Sequence, residues 1–481
     1  MPDLHNVMQA IPNARLVKPF PSMTGGHFAS VSTDTRTLKP GALFFALSGP
    51  NFDGATFIKA AQERGAVAVV VDSSAQCPVD LKIPVLMVND VLHALQLWAK
   101  WWRRQWPGHV IAITGSNGKT TVKQMTAAIV AKAIGTEACW ATPGNLNNHI
   151  GLPLSIAAID SRHQMAVLEL GMNHPGEIAL LAEIAQPQVA LVNNAQREHQ
   201  EFMKSVEAVA YENGTVFGSL PDNGVAIFPK DPEHEAIWMR QAGNRTAIRF
   251  GMVSATGDSN YRGQEVVGEP IANHAQSFPG LRVTYPNGSI SHLMLKGVGE
   301  HFALNALAAA ACAYASGISA DMIEIALNNF EPIAGRGAQR ALRGGGILVD
   351  DSYNANPDSV RAAIDALVTL PNPRALVLGD MGEVGDQEQA FHQEVLCYAN
   401  QKQLHAIWLT GSAMEAAHSK TGIGHHFAEM ERLITDLVAW TGAHQANNLS
   451  PSIWIKGSRF MKMERVVAAL SEPKNEVTAC C

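Results

Sequence analysis

Lys119 follows Gly118 and precedes Thr120 and Thr121 in the run Ile111-Ala-Ile-Thr-Gly-Ser-Asn-Gly-Lys-Thr-Thr-Val122. An apolar strand, a glycine turn, an ammonium and a helix start in that order build a phosphate site. Gly115 and Gly118 let the backbone turn around Ser116 and Asn117 with its N–H groups inward. Lys119 then reaches outer phosphates, and the hydroxyl of Thr120 or Thr121 can ligate Mg2+. Position 113 holds Ile113 where the general pattern has glycine, so the loop is the shortened Thr-Gly-x-x-Gly-Lys-Thr form.

Further polar residues stand where apolar runs end. Met165-Ala-Val-Leu-Glu169 reads as a buried strand closing on a carboxylate. Open α/β sheets bind ligands at the carboxyl ends of their strands, so Glu169 is the first metal candidate. The run Ala190-Leu-Val-Asn-Asn194 leads to Arg197-Glu-His-Gln-Glu201 and offers His199 as a second ligand, or as an ordinary loop histidine. Thr142-Pro-Gly-Asn-Leu-Asn-Asn-His-Ile-Gly-Leu-Pro153 is too rich in amides and glycines for a core, and reads as a turn whose Asn side chains bond their own backbone.

The elements that must hold these groups follow from periodicity. Val122, Met125, Ile129 and Val130 recur at helical spacing and stop at Gly135, which places a helix directly after the glycine turn. Ahead of it, Ala42–Leu47, Ala66–Val71 and Ile83–Val88 read as short buried strands of a small α/β unit. Behind it, Leu281–Tyr285 and a second alternating run flank Pro286-Asn-Gly288, which predicts a β-hairpin appended to the nucleotide unit. From about Pro332, the runs Gly346–Asp350, Arg374–Gly379, Ala406–Thr410 and Ser452–Ile455 alternate with helical stretches, as in a doubly wound parallel sheet. The expected fold is α/β in three domains: 1–106, 107–331 with the phosphate loop and added β region, and 332–481, Rossmann-like.

Composition excludes other classes. A chain of 481 residues with 47% hydrophobic and 16% charged residues can fill several cores, and a net charge of -7 offers no basic footprint for nucleic acid. No apolar run reaches the roughly 18 residues of a membrane span. The start lacks the layout of a signal peptide. The cysteines show no metal-ligand spacing, so a cytoplasmic protein with reduced thiols is expected.

Several motifs together resemble the Mur ligases. They are Thr114–Thr120, Gly144-Asn-Leu-Asn-Asn148, Glu169-Leu-Gly171, Asn193-Asn194 before His199, Gly299-Glu-His-Phe-Ala-Leu-Asn305, Gly335-Arg336, Asp350–Asp358, Gly379-Asp-Met381 and Lys456-Gly-Ser-Arg459. The resemblance runs from Ser32-Thr-Asp-Thr-Arg36 to Arg459 and is greatest to the branch that adds D-alanyl-D-alanine to UDP-N-acetylmuramoyl-tripeptide. It implies an ATP- and Mg2+-dependent ligase of cytoplasmic cell-wall precursor synthesis, working through an acyl phosphate as a monomer. By that resemblance Lys119, Glu169 and His199 are catalytic, and Thr120, Glu169 and His199 are associated with metal. ATP is met by residues 115–121, His301, Asn305, Arg336 and Asp351. The UDP-linked donor and the acceptor are met by Ser32, Thr33, Asp34, Arg36, Asn145, Asn147, Asn148, Asn354, Asn356, Lys456 and Arg459, with Lys456 and Arg459 toward the acceptor carboxylate. The first and third domains are expected to close over the nucleotide.

One position departs from the family. Many Mur ligases carry a carbamylated lysine that helps hold a second Mg2+, and the alignment of Val209–Phe217 puts Asn213 there. The second ion is then held differently, by Glu212 or water, or one ion suffices. The competing reading is another amide ligase of the superfamily, such as a folylpolyglutamate synthase. It shares the phosphate loop but should lack a dedicated uridine domain.

Overall fold

The computed structural model describes residues 2–18, 27–50, 52–75, 78, 80–198, 201–254, 257, 261, 263–271 and 280–472. Its strands form three sheets. In the first, Arg15–Lys18, Val85–Val88, Ala68–Asp72, Ala42–Phe45 and Ser30–Ser32 lie side by side, parallel except for the Arg15–Lys18 edge. Val, Leu and Phe fill the three inner strands because both faces of the sheet there are packed, whereas the two edge strands are partly exposed.

The central sheet has nine strands. From Cys139–Ala141 it passes through Met165–Glu169, His109–Thr114, Val189–Val192, Val225–Pro229, Thr246–Met252 and Gln264–Ile271, all parallel, and ends on the antiparallel pair Gly280–Thr284 and Ile290–Leu293. The sequence leads to an appended hairpin. The hairpin is there, but Gln264–Ile271 joins it to the parallel strands, so it continues the sheet. Tyr285 and Ser291 are buried beneath it and hydrogen-bonded to each other at 3.1 Å.

The phosphate-loop strand His109–Thr114 lies between Met165–Glu169 and Val189–Val192, with Ile113 opposite Glu169 and Thr114 opposite Val192. Strand order reverses here, which opens a crevice at the carboxyl ends where a ligand can enter. Two helices seal the core below: Lys119–Ile134 and the alanine-rich Glu300–Ala315, whose small side chains let it pack closely under the sheet.

The third sheet orders Ala338–Ala341, Ile347–Asp351, Ser452–Lys456, Arg374–Gly379, Ala406–Thr410 and His425–His426, parallel except for the first. The four long strands stand where the sequence puts them. The two edge strands are additional. Among the described residues no helix is long and apolar enough to cross a membrane.

Candidate active site

Lys119 opens the helix Lys119–Ile134, so the first N–H groups of that helix have no intrahelical acceptor and point toward the crevice. Gly118 takes a left-handed φ of 79°, and a Cβ there would sit 2.3 Å from Asn305 Oδ1 and 2.7 Å from Asn193 Nδ2. Only glycine fits. The loop before it is held by amides. Asn213 Oδ1 accepts from Thr114 Oγ1 at 2.6 Å and from the Gly115 N–H at 3.0 Å. The Ser116 N–H goes to Asn194 O and the Asn117 N–H to Asn194 Oδ1, while Asn193 and Asn194 both donate to Asn117 O.

This corrects the expectation that the whole loop aims its N–H groups at phosphate. The donors of Gly115, Ser116 and Asn117 are spent on the protein, which leaves the helix start at Lys119 as the part of the loop suited to an anion. The Lys119 ammonium donates to Gly115 O, Ser116 O and Glu198 Oε2, the last at 3.2 Å.

Glu169 is buried at the end of its strand, its N–H donating to Thr142 Oγ1 at 2.9 Å. Its Oε1 accepts from Asn147 Nδ2 at 2.7 Å and Thr120 Oγ1 at 3.2 Å. Its Oε2 lies 3.2 Å from Lys123 Nζ without an aligned hydrogen bond. Thr120, not the buried Thr121, therefore turns its hydroxyl to the carboxylate. Carboxylate Oε1 and the Thr120 hydroxyl, side by side in the cleft lining, are the hard-oxygen donors that Mg2+ selects, so these residues fit that ion. His199 lies outside the described residues. Among those described, no cluster of three or more acidic, His or Cys groups forms.

Glu212 is not a candidate ligand. It is buried with Oε1 accepting the Ile178 N–H at 3.0 Å, which caps the helix Glu177–Ala185. One step of about 100° along its own helix turns it away from Asn213.

The third domain forms the opposite wall of a cleft of about 750 Å³ lined by both domains. Asn356 caps the helix Pro357–Leu367 and exchanges two hydrogen bonds with Asn117, at 2.9 and 3.3 Å. Arg336 lines the cleft with its guanidinium stacked 4.0 Å over Tyr353, and among the described residues no carboxylate pairs with it. His301 also lines the cleft, beside Trp454. Burial pushes its pKa below the ordinary histidine value, so it is neutral at pH 7. Asn305 is turned onto Gly118 and Asn193.

Lys456 is buried, donating to Asp351 Oδ2 at 2.7 Å and Asn354 O at 2.9 Å. Its charge is thus already matched inside the third domain. Arg459 is exposed, paired with Glu464 at 2.9 Å, and lies outside the cleft lining. In the central domain Asn145, Asn147 and Asn148 line the cleft, Asn148 capping the helix Gly151–Ala157 through the Gly151 N–H at 2.8 Å. Ser32, at the end of its strand, and Thr33, Asp34 and Arg36 in the turn after it lie on the first domain outside this cleft's lining, the first three half-buried and Arg36 exposed. There Arg36 grips Asp34 in a bidentate pair that holds the carboxyl below its usual range.

Two groups escaped the sequence reading: Lys123, wholly buried one helical turn behind Lys119, and Glu198, the partner of Lys119. A lysine inside an otherwise apolar helix stripe was the available signal for the first. Its neighbour His199 drew attention away from the second.

Three family profiles match the chain: "Mur ligase family, catalytic domain" over residues 27–102, "Mur ligase middle domain" over 113–313, and "Mur ligase, glutamate ligase domain" over 335–452. The UDP-N-acetylmuramoyl-tripeptide--D-alanyl-D-alanine ligase of Escherichia coli (strain K12) is 38% identical, covering 92% of this chain and 94% of that protein. The crystal structure of MurF from Acinetobacter baumannii superposes with a TM-score of 0.84 at 29% identity, covering 97% of this chain and 98% of that one. The MurF ligase of Thermotoga maritima in complex with ADP gives 0.77 at 25% identity, covering 92% and 96%. With a relative this similar over nearly its whole length, and three profiles in family order, the chain belongs to the Mur ligase family.

Proposed function

We propose that this chain is a cytoplasmic, ATP- and Mg2+-dependent ligase that joins D-alanyl-D-alanine to UDP-N-acetylmuramoyl-tripeptide. The domain limits are those read from the sequence, 1–106 for the UDP end, 107–331 for ATP and 332–481 for closure and the acceptor. One observation carries the reading. Lys119, Thr120 and Glu169 meet at the switch point of the central sheet, and Arg336, a cation without a carboxylate partner among the described residues, faces the same cleft from the third domain.

In this mechanism the tripeptide carboxylate attacks the γ-phosphate of ATP, and ADP leaves. Attacker and target are both anions, so positioning and charge stabilisation supply most of the catalysis. Lys119 is pre-aligned by two loop carbonyls and exchanges Glu198 for phosphate oxygen. Arg336, held flat on Tyr353, offers a second cation to the phosphates or to the acyl phosphate. When bound, Mg2+ at Thr120 and Glu169 neutralises phosphate charge. The acceptor amine then attacks the acyl carbon, the C–O bond to phosphate breaks, and the proton from the nitrogen passes to the departing phosphate or to solvent. Asn117 and Asn356, joined across the cleft, tie the third domain to the loop that carries Lys119.

The test is phosphate release with UDP-N-acetylmuramoyl-tripeptide, ATP and a panel of acceptors. D-alanyl-D-alanine should be used far better than free D-alanine, L-lysine or glutamate. Equal use of glutamate would point instead to a folylpolyglutamate-type ligase.

A further inference from the structure

Lys123 has none of its side chain exposed, which is rare for a lysine. Its ammonium donates to Thr142 O and Gly144 O, each at 3.0 Å, and lies 3.2 Å from Glu169 Oε2. Two of its protons thus go to carbonyls of the Gly144–Asn148 loop and its stem, and its charge faces the carboxylate that ends the Met165–Glu169 strand. The two oxygens of Glu169 are divided accordingly. Oε1 accepts from Thr120 and Asn147, while Oε2 lies against the Lys123 charge without an aligned hydrogen bond.

The charges around the helix start add up in a telling way. Lys119 and Lys123 carry two positive charges, and their partners Glu198 and Glu169 carry two negative ones. A divalent cation entering this set meets a carboxylate already compensated and two ammonium groups that repel it. Phosphate oxygens reverse the balance.

We propose that Lys123 is a positioning residue that acts through Glu169. It fixes the carboxylate and neutralises it, so that a divalent cation is held at Thr120 and Glu169 only when nucleotide phosphates supply the remaining negative charge. The metal therefore enters with the nucleotide, not before it. This rests on the reading of Lys119–Thr121 as a Mg2+-nucleotide site.

The experiment follows Mn2+ binding to the full chain by electron paramagnetic resonance, with and without ADP. Wild type should bind Mn2+ weakly alone and at least about tenfold more tightly with ADP. In Lys123→Gln the amide can still donate to carbonyls but the charge is gone, so affinity without nucleotide should rise by about tenfold or more. The rise should vanish in Lys123→Gln/Glu169→Gln, and Lys123→Arg should keep the weak binding of wild type. A folded Lys123→Gln protein with unchanged Mn2+ affinity would make Lys123 a packing element and overturn the inference. Should that variant not fold, wild type decides: tight Mn2+ binding without ADP that Glu169→Gln abolishes overturns it, and weak binding strengthened by ADP supports it. A wild type that binds ADP with no Mn2+ at all removes the metal site itself, a failure of the functional reading that this readout separates from the role of Lys123.

Discussion

The central domain is joined to its two neighbours in contrasting ways. Toward the first domain, the helix Val91–Gln105 and Trp106 just past its end send largely buried side chains onto main-chain acceptors. Trp102 Nε1 donates to Ile159 O at 2.8 Å, Trp106 Nε1 to His163 O at 2.9 Å, Arg103 to Ala185 O and Gln186 O at 2.9 and 3.1 Å, and Gln96 to His149 O at 3.1 Å. Trp98, Trp101 and Trp102 stack along the same helix. Toward the third domain the polar contacts end on rotatable side chains: Arg197 meets Asp358 at 2.6 Å and Glu394 at 2.7 Å, the Arg197 main-chain N–H also donates to Asp358 Oδ2 at 2.8 Å, and Asn117 meets Asn356. Phe391 lies under the Arg197 guanidinium, and Ala366 comes against Gly299.

The acceptors toward the first domain are main-chain carbonyls of turns and of one helix end, held in place by the backbone rather than by rotatable side chains, and leaving a buried donor without one is costly. Partly exposed carboxylates can trade an arginine for water at small cost. The first joint is therefore a weld and the second a latch. Of the two domains expected to close on the nucleotide, the third is the one whose attachment can be remade.

The sharpest break should come from neither joint. Lys119→Ala removes one charge-stabilising group from between them, and turnover should fall by about two to four orders of magnitude while the protein stays folded. Steady-state phosphate release with a circular dichroism spectrum checks both halves. Near-normal turnover would remove Lys119 from the chemistry.

Next in size is the weld. Arg103 is buried, and that burial lowers its pKa to about 10, yet it serves Ala185, Trp106, Gln186 and Gln188. Arg103→Ala strands several buried acceptors and should cost about 3 kcal/mol in urea unfolding. Turnover per folded molecule should barely change. A large kcat loss with unaltered stability would mean that this joint moves during catalysis.

The latch should show the reverse pattern. Arg197→Ala should cost only about 1 kcal/mol, since the pair is partly exposed, but raise KM for ATP about three- to tenfold as the third domain docks less often. Its pH signature has a definite sign. Hydrogen bonding to Arg197 holds the Glu394 carboxyl below its ordinary value. The stabilisation is thus present above the ordinary glutamate range and lost as pH falls through the lowered pKa. The stability difference between wild type and Arg197→Ala should shrink on acidification, and a constant difference down to pH 3 would discard the ion pair as its source.

How much of this was legible in the sequence depended on how far apart the partners stand. The phosphate loop is contiguous, and Glu169 closes an apolar run whose strand character is plain, so both were readable. Lys123 finds its partners at Thr142, Gly144 and Glu169, and no local pattern announces them. Glu212 misled because chain neighbours suggest shared surroundings, whereas helical rotation sends it to Ile178. Lys456 was readable as a cation but not as one already matched by Asp351. The edge strands Ala338–Ala341 and His425–His426 were missed because one is polar and the other is two residues long.

The smallest expected effect is none at all, and it concerns the position where many Mur ligases carry a carbamylated lysine. Asn213 is fully buried, its oxygen committed to Thr114 and Gly115, and an amide nitrogen does not add CO2. Asn213→Ala should cost about 1–3 kcal/mol by leaving that hydroxyl and N–H unpaired, and should lower turnover far less than Glu169→Ala. Nor does a nearby lysine offer itself in its place. Carbamylation needs an amine free to meet CO2, and these lysines are engaged: Lys119 with Gly115 O, Ser116 O and Glu198, Lys123 with Thr142 O and Gly144 O beside Glu169, and Lys456 with Asp351 and Asn354 O. Lys230, at the far end of the cleft lining, sits 3.5 Å from Glu265. Activity should accordingly be the same in CO2-depleted buffer and after bicarbonate is restored. Rescue by bicarbonate would show that a lysine in this cleft gives up its proton after all, and mass spectrometry of the trapped carbamate would identify which one.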